Sequence, residues 1–196
     1  MNLPNKLTVL RIFLAPLFLL LAMWEFPFHY AAALVVFIVA SLTDLLDGKI
    51  ARARGLVTNF GKFLDPLADK MLTTAAFLVL LALGKMNVWA LMIVLTREFM
   101  VTSVRLLAAK DGTVIAADIW GKAKTVAQMV SIIYMFVALE FATWQGGLLA
   151  GLPLSDAVFT VPLIVGEVFI WISVVLAAVS GWNYVWNNRH FFIHDK

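Results

Sequence analysis

The chain has 196 residues, 63% of them hydrophobic and 14% charged, with a formal net charge of +3 and a mean hydropathy of +0.94. A soluble domain of this length cannot bury so large an apolar share, so the composition excludes an ordinary soluble fold and calls for lipid as the solvent. The absence of cysteine excludes disulfides, thiolate metal sites and thiol nucleophiles.

In chain order, apolar stretches run near Leu7 to Trp24, Tyr30 to Thr43, Met71 to Leu83, Val88 to Leu106, Val126 to Ala142 and Val161 to Val179. A membrane-crossing helix needs about 20 residues. The second and third stretches reach that length when extended into the polar segment between them, over Ala31 to Asp47 and Phe60 to Leu83. Only helices or closed barrels satisfy the backbone in lipid, and these runs lack the alternation of barrel strands. The expected fold is an all-α integral membrane protein, a six-transmembrane-helix bundle forming a single domain over residues 1–196, with no internal repeat or low-complexity linker. Pro16 is expected to bend the first helix. The opening Met1-Asn2-Leu3-Pro4-Asn5-Lys6 is not followed by the small-residue cleavage site of a signal peptide, so the first span is expected to be retained.

Lys6, Arg11, Lys49, Arg52, Arg54, Lys62, Arg105, Lys110, Lys122, Lys124, Arg189 and Lys196 fall at ends that an even number of spans places on one side. The opposite loops, around Glu25 to Tyr30, Gly84 to Asn87 and Glu140 to Pro153, carry only Lys85. The positive-inside rule then puts both termini and the segment around residues 44–69 in the cytoplasm. Trp24, Trp89, Trp144, Trp182 and Trp186 lie near span ends, as interfacial anchors do.

Within that segment, Asp44 and Asp47 are three residues apart and Asp65 and Asp69 four apart, so each pair projects from one face of a helix. Gly48 and the polar stretch to Asn59 are expected to turn the chain back, bringing the four carboxylates together. Left alone in a low-dielectric setting, these charges would repel and shift towards protonation. Hard divalent cations remove the conflict, and an all-oxygen donor set without His or Cys favours Mg²⁺ or Mn²⁺ over Zn²⁺. Four aspartates suffice for two ions, an arrangement suited to phosphoryl transfer. Asp44 and Asp47 alone would read as a solvated helix end, Gly48 as a helix cap, and Arg52 and Arg54 as topological charges. A second acidic pair on a span favours function instead. Gly48, Ala51 and Gly61 are small where backbone could approach a ligand, and Arg52 could pair with a phosphate.

The pattern Asp-x2-Asp-Gly-x2-Ala-Arg-x8-Gly-x3-Asp-x3-Asp over residues 44–69 resembles the signature of the CDP-alcohol phosphatidyltransferase family at every position. The resemblance implies a six-helix membrane enzyme, usually a homodimer in the cell membrane, that moves a phosphatidyl group from a CDP-lipid to an alcohol and releases CMP. It implies that Asp44, Asp47, Asp65 and Asp69 bind two metal ions and that Asp69 also accepts the alcohol's proton. It places Gly48, Arg52 and Thr58 against the CDP-lipid, with Asn5 and Thr8 near the nucleotide; Ala51 and Gly61 complete that candidate surface.

Arg97, Arg105, Lys122 and Lys124 lie in or beside the fourth and fifth spans. They read either as snorkelling topological charges or as phosphate ligands, and Glu98 could form a structural ion pair with Arg97. The segments Asn2 to Arg11, Gly61 to Lys70, Thr96 to Arg105 and Gly121 to Thr125 resemble family members that use sn-glycerol 3-phosphate as the alcohol. That resemblance makes Arg97, Arg105 and Lys122, with Arg11, the candidates for holding the acceptor's phosphate. Acceptors leading to phosphatidylinositol phosphate, phosphatidylserine or cardiolipin are the alternatives within the family, and a divalent-cation transporter is the alternative outside it. The transporter reading leaves Gly48 and Arg52 without a purpose and lacks a second intramembrane acidic pair to continue a path. CDP-diacylglycerol, glycerol 3-phosphate and the lipid bilayer are the expected partners, and nucleic acid is not.

Overall fold

The computed structural model describes the backbone of residues 3–54, 59–110 and 118–189, and the side chains of these except residues 3–5, 45–54, 59–67, 69 and 110. Among the described residues there is no strand. The helices are α1 (Leu3–Met23), α2 (His29–Arg54), α3 (Asn59–Ala82), α4 (Val88–Lys110), α5 (Ile119–Thr143) and α6 (Ala157–Asn187), with a 3₁₀ turn at Trp144–Gly146. The segments Lys6–Met23, Ile119–Gly146 and Ala157–Asn187 are long and apolar enough to cross a membrane; His29–Asp44 and Lys70–Ala82 are shorter apolar helices. The remaining helix, α4, carries Arg97, Glu98 and Arg105 along its length.

α1 packs on α2 and α3, α5 on α6 and α2, and α4 on α6. Small residues allow the close approaches. Ala15 and Ala22 on α1, Ala33 and Ala40 on α2, and Ala68 and Ala75 on α3 are all buried, each pair seven residues and so about two turns apart. In lipid, such interfaces are held by close packing rather than by exclusion of water. The large side chains meet at the centre, where the Phe18 ring lies 5.2 Å from Phe136 and 5.9 Å from Phe37. Apolar side chains also cover the outside, including Phe13 and Leu17 on α1 and Ile164, Val168 and Val175 on α6, the reverse of a soluble surface.

The α3 terminus is set by Gly84, whose φ of +67° suits a residue without Cβ. The Gly84 amide donates to the Leu81 carbonyl at 3.0 Å and the Lys85 amide to the Leu80 carbonyl at 2.8 Å, the paired bonds of a Schellman ending. At the start of α5, Asp118 Oδ1 accepts from the Gly121 amide at 2.7 Å, an N-cap that begins the helix earlier than hydropathy alone indicates.

Two local expectations are corrected and one is narrowed. Within the stretch from Gly48 to Asn59 expected to turn the chain back, α2 passes through Gly48 and continues to Arg54, and α3 begins at Asn59. One interior glycine costs a helix about 1 kcal/mol, too little to stop it before Lys49, Ile50, Ala51 and Arg52. α6 extends past Val179 to Asn187, bringing Ser180 and Tyr184 into the bundle. Glu140 belongs to α5, not to a loop, and is only 6% exposed. Its carboxylate accepts from the Ala31 amide at 3.0 Å and from Trp144 Nε1 at 3.1 Å, so a negative charge closes the N-terminal end of α2. Glu140→Ala is expected to destabilise the bundle by about 1–3 kcal/mol, since it strips a buried acceptor from two partly buried donors. Thermal unfolding in detergent measures this, and an unchanged Tm would contradict the capping role.

Candidate functional site

The site is built where α2 and α3 carry the acidic motif. Asp44 and Asp47 lie on α2, with Gly48, Ala51 and Arg52 following in the same helix. Gly61, Asp65 and Asp69 lie on α3, and Asn5 and Thr8 lie on α1. Thr58 is outside the described residues, as are the side chains of Asn5, Asp47, Gly48, Ala51, Arg52, Gly61, Asp65 and Asp69. Asp44 is the one described carboxylate of the four, and Arg11 Nη1 reaches its Oδ1 at 2.5 Å. The Arg11 side chain is 2% exposed and that of Asp44 39% exposed, so the cation of the pair is buried and the anion is partly exposed. Thr8, one turn before Arg11, is buried with it. Among the described residues no three His, Cys, Asp or Glu side chains form a metal-ligand cluster.

Beside this pair is a cavity of about 440 Å³ between α3, α4 and α5, lined by Lys70, Arg97, Glu98, Arg105, Lys122 and Lys124 together with Thr102 and Gln128. Three expected phosphate ligands, Arg97, Arg105 and Lys122, therefore meet at one cavity. The fourth, Arg11, does not line it and sits against Asp44 instead. Thr73 and Met129 line both this cavity and the cleft that holds Arg11 and Asp44, so the acidic and basic parts adjoin.

Among the described residues, five cations and one carboxylate line the cavity, which gives this part of its wall a net positive charge. Glu98 partly offsets this: it pairs with Lys124 and lies 3.3 Å from Arg97 Nη1. Lys70 Nζ donates to the Glu98 carbonyl at 2.9 Å and to the Thr102 hydroxyl, tying α3 to α4. The arginines are anchored from α6. Arg97 Nη2 donates to Ser180 Oγ at 2.7 Å, and Arg105 Nε to the Tyr184 hydroxyl at 3.3 Å. Arg97 Nε and Gln128 Nε2 are buried and meet no acceptor among the described residues. Buried donors of this kind are costly unless something accepts from them. A positive wall with spare donors is suited to an anion with several oxygens.

Sequence reasoning did not select Lys70, Gln128, Ser180 or Tyr184. Lys70 directly follows Asp69, and that adjacency was the available signal. Ser180 and Tyr184 carried none, because each is a neutral hydroxyl in an apolar helix whose arginine partner is about 80 residues away in sequence.

The CDP-alcohol phosphatidyltransferase family model matches residues 1–179. The chain is 38% identical over 199 aligned positions, 95% of each chain, to a Bacillus subtilis protein named CDP-diacylglycerol--glycerol-3-phosphate 3-phosphatidyltransferase. It is 31% identical to a Rickettsia bellii protein of the same name, over 97% of each chain. A Mycobacterium tuberculosis protein named probable phosphatidylglycerophosphate synthase is 43% identical over 134 residues, 67% of this chain and 64% of that protein. Motif, helical architecture and matches along almost the whole length agree: the chain belongs to the CDP-alcohol phosphatidyltransferase family.

Proposed function

We propose that this chain is an enzyme that transfers the phosphatidyl group of CDP-diacylglycerol to sn-glycerol 3-phosphate, giving phosphatidylglycerophosphate and CMP. The observation that carries this reading is the cation-lined cavity containing Arg97, Arg105 and Lys122 beside the acidic motif. An acceptor without a phosphate would have little use for that concentration of charge. The names of the relatives in Bacillus and Rickettsia support the same reaction.

Asp44, Asp47, Asp65 and Asp69 are the residues to hold two divalent cations, Mg²⁺ or Mn²⁺. The donor set fits: it is all carboxylate, spaced three and four residues apart on two helices, and the Asp44 side chain is 39% exposed although Arg11 pairs with it. Cations bound there supply charge neutralisation for a pyrophosphate and its leaving group. Arg11 holds Asp44 in place. Gly48, Ala51, Arg52, Thr58 and Gly61, with Asn5 and Thr8, form the surface for the CDP-lipid. Arg97, Arg105 and Lys122 hold the acceptor's phosphate, which orients its free hydroxyl towards the lipid-side phosphorus. Asp69 takes the hydroxyl proton as the new P–O bond forms and the P–O bond to CMP breaks, in a single displacement.

The six helices serve as six spans of the cell membrane, with both termini and the site on the cytoplasmic face and two copies forming a homodimer. α4 has 23 residues, about 1.5 Å of rise each, enough to cross. Arg97 and Glu98 of α4 are paired, and both line the cavity with Arg105, which lowers their cost in a span.

An acceptor panel tests the reading. CMP release from CDP-diacylglycerol by the purified protein is expected with glycerol 3-phosphate and not with inositol phosphate, serine or phosphatidylglycerol. It is expected to stop in EDTA and return with Mg²⁺ or Mn²⁺. Preference for another acceptor would overturn the substrate assignment, and activity that persists in EDTA would overturn the metal assignment.

A further inference from the structure

Arg97 is held on three sides. Its Nη1 lies 3.3 Å from Glu98 and its Nη2 2.7 Å from Ser180 Oγ, while two glycines close around it. A Cβ added at Gly181 would fall 3.0 Å from Arg97 Cγ, and one added at Gly121 would fall 3.2 Å from Arg97 Nη2. At Gly121 the nearest atom to such a Cβ is Asp118 Oδ1, at 2.9 Å; both separations from Arg97 are tighter than ordinary packing, so the arginine lies close against α5 and α6 where these glycines stand. Ser180 is fully buried, 83 residues from its partner in sequence. One helical turn further on, Tyr184 is also buried and receives the Arg105 hydrogen bond, with the Arg105 guanidinium carbon 5.7 Å from its ring centroid.

Ser180, Gly181 and Tyr184 therefore form one stripe on α6 that meets both arginines of α4. The chemistry of the stripe is selective. A carboxylate at these positions would neutralise the guanidinium groups, whereas the hydroxyls of Ser180 and Tyr184 accept hydrogen bonds and leave the positive charge in place. With Nη1 directed to Glu98 and Nη2 to Ser180, Arg97 Nε is buried and meets no acceptor among the described residues, in a residue that lines the cavity.

We propose that the Ser180–Gly181–Tyr184 stripe of α6 is a positioning element for the acceptor's phosphate: it fixes Arg97 and Arg105 through neutral hydroxyls that add no negative charge to that of Glu98, and so sets affinity for an anionic acceptor. This rests on the assignment of glycerol 3-phosphate as acceptor. Ser180 and Tyr184 act through the arginines and do not touch the reacting atoms.

The test is steady-state CMP release by the purified full-length protein in mixed micelles, with CDP-diacylglycerol and glycerol 3-phosphate varied separately. Ser180→Ala is expected to raise KM for glycerol 3-phosphate roughly tenfold, the effect of one hydrogen bond to a charged group. Its kcat should stay within about twofold and its KM for CDP-diacylglycerol should not change, since Ala is the best helix former and fills the position without strain. Tyr184→Phe, which keeps the ring, is expected to raise the same KM by about two- to threefold, because only one long hydrogen bond is lost. In an Arg97→Lys background, which lacks the guanidinium fork, Ser180→Ala is expected to add little, as coupled residues are non-additive. An unchanged KM for glycerol 3-phosphate in Ser180→Ala, or an equal effect in both backgrounds, would overturn the positioning role in favour of plain packing. CMP release by the unsubstituted protein that is independent of glycerol 3-phosphate would overturn the acceptor assignment itself, a result distinct from either.

Discussion

Asp69→Asn is expected to lower kcat for CMP release by about 10²–10⁴-fold, the usual contribution of a general base, with the helical fold retained. Asp69 follows Asp65 by four residues on α3, so the two share a face of that helix. Asn keeps the size and shape of the side chain and removes its basicity. It also removes one anionic metal ligand, so the metal concentration giving half-maximal activity should rise along with the loss in rate. CMP release measured across a metal titration separates the two effects: the rate lost to the missing base persists at saturating metal. Full CMP release by Asp69→Asn would show that another group accepts the proton.

The second large effect is expected at Arg105, on the acceptor side. Arg105→Ala should raise KM for glycerol 3-phosphate roughly 10- to 100-fold, as removal of a charge-assisted phosphate contact does, and leave KM for CDP-diacylglycerol within about twofold. The alternative is a topological charge with a snorkelling stem, for which neither constant moves. The position of Arg105 favours the first account: it lines the same cavity as Arg97 and Lys122 and is tied to Tyr184 on another helix. An unchanged KM for glycerol 3-phosphate with weakened CDP-lipid binding would reassign Arg105 to the lipid half of the site.

Much of this organisation was legible in the residues because lipid makes charge conspicuous. Asp44, Asp47, Asp65 and Asp69 stood out against 63% hydrophobic composition, and the spacing that places each pair on one helical face is local. Arg97, Arg105 and Lys122 were legible for the same reason, although their convergence on one cavity depends on how α4 and α5 pack. The direction in which a charge turns was not legible. Arg11 was grouped with the phosphate ligands, yet it lies buried against Asp44, a pairing decided by the packing of α1 on α2. Gly48 suggested a turn because glycine often ends helices, but the helix-favouring residues after it outweigh one unfavourable position. Ser180 and Tyr184 lay beyond the expected end of α6, and neutral hydroxyls in a helix give no sign of a partner some 80 residues away.

These parts depend on one reaction at a junction between a carboxylate site and a phosphate site, and product identity tests it most directly. The purified protein is incubated with CDP-diacylglycerol, glycerol 3-phosphate and Mg²⁺ or Mn²⁺, and CMP and lipid product are quantified together by mass spectrometry. The account predicts phosphatidylglycerophosphate and CMP in equal amounts, both absent when glycerol 3-phosphate is omitted. CMP formed without that lipid, or at the same rate without glycerol 3-phosphate, would contradict it.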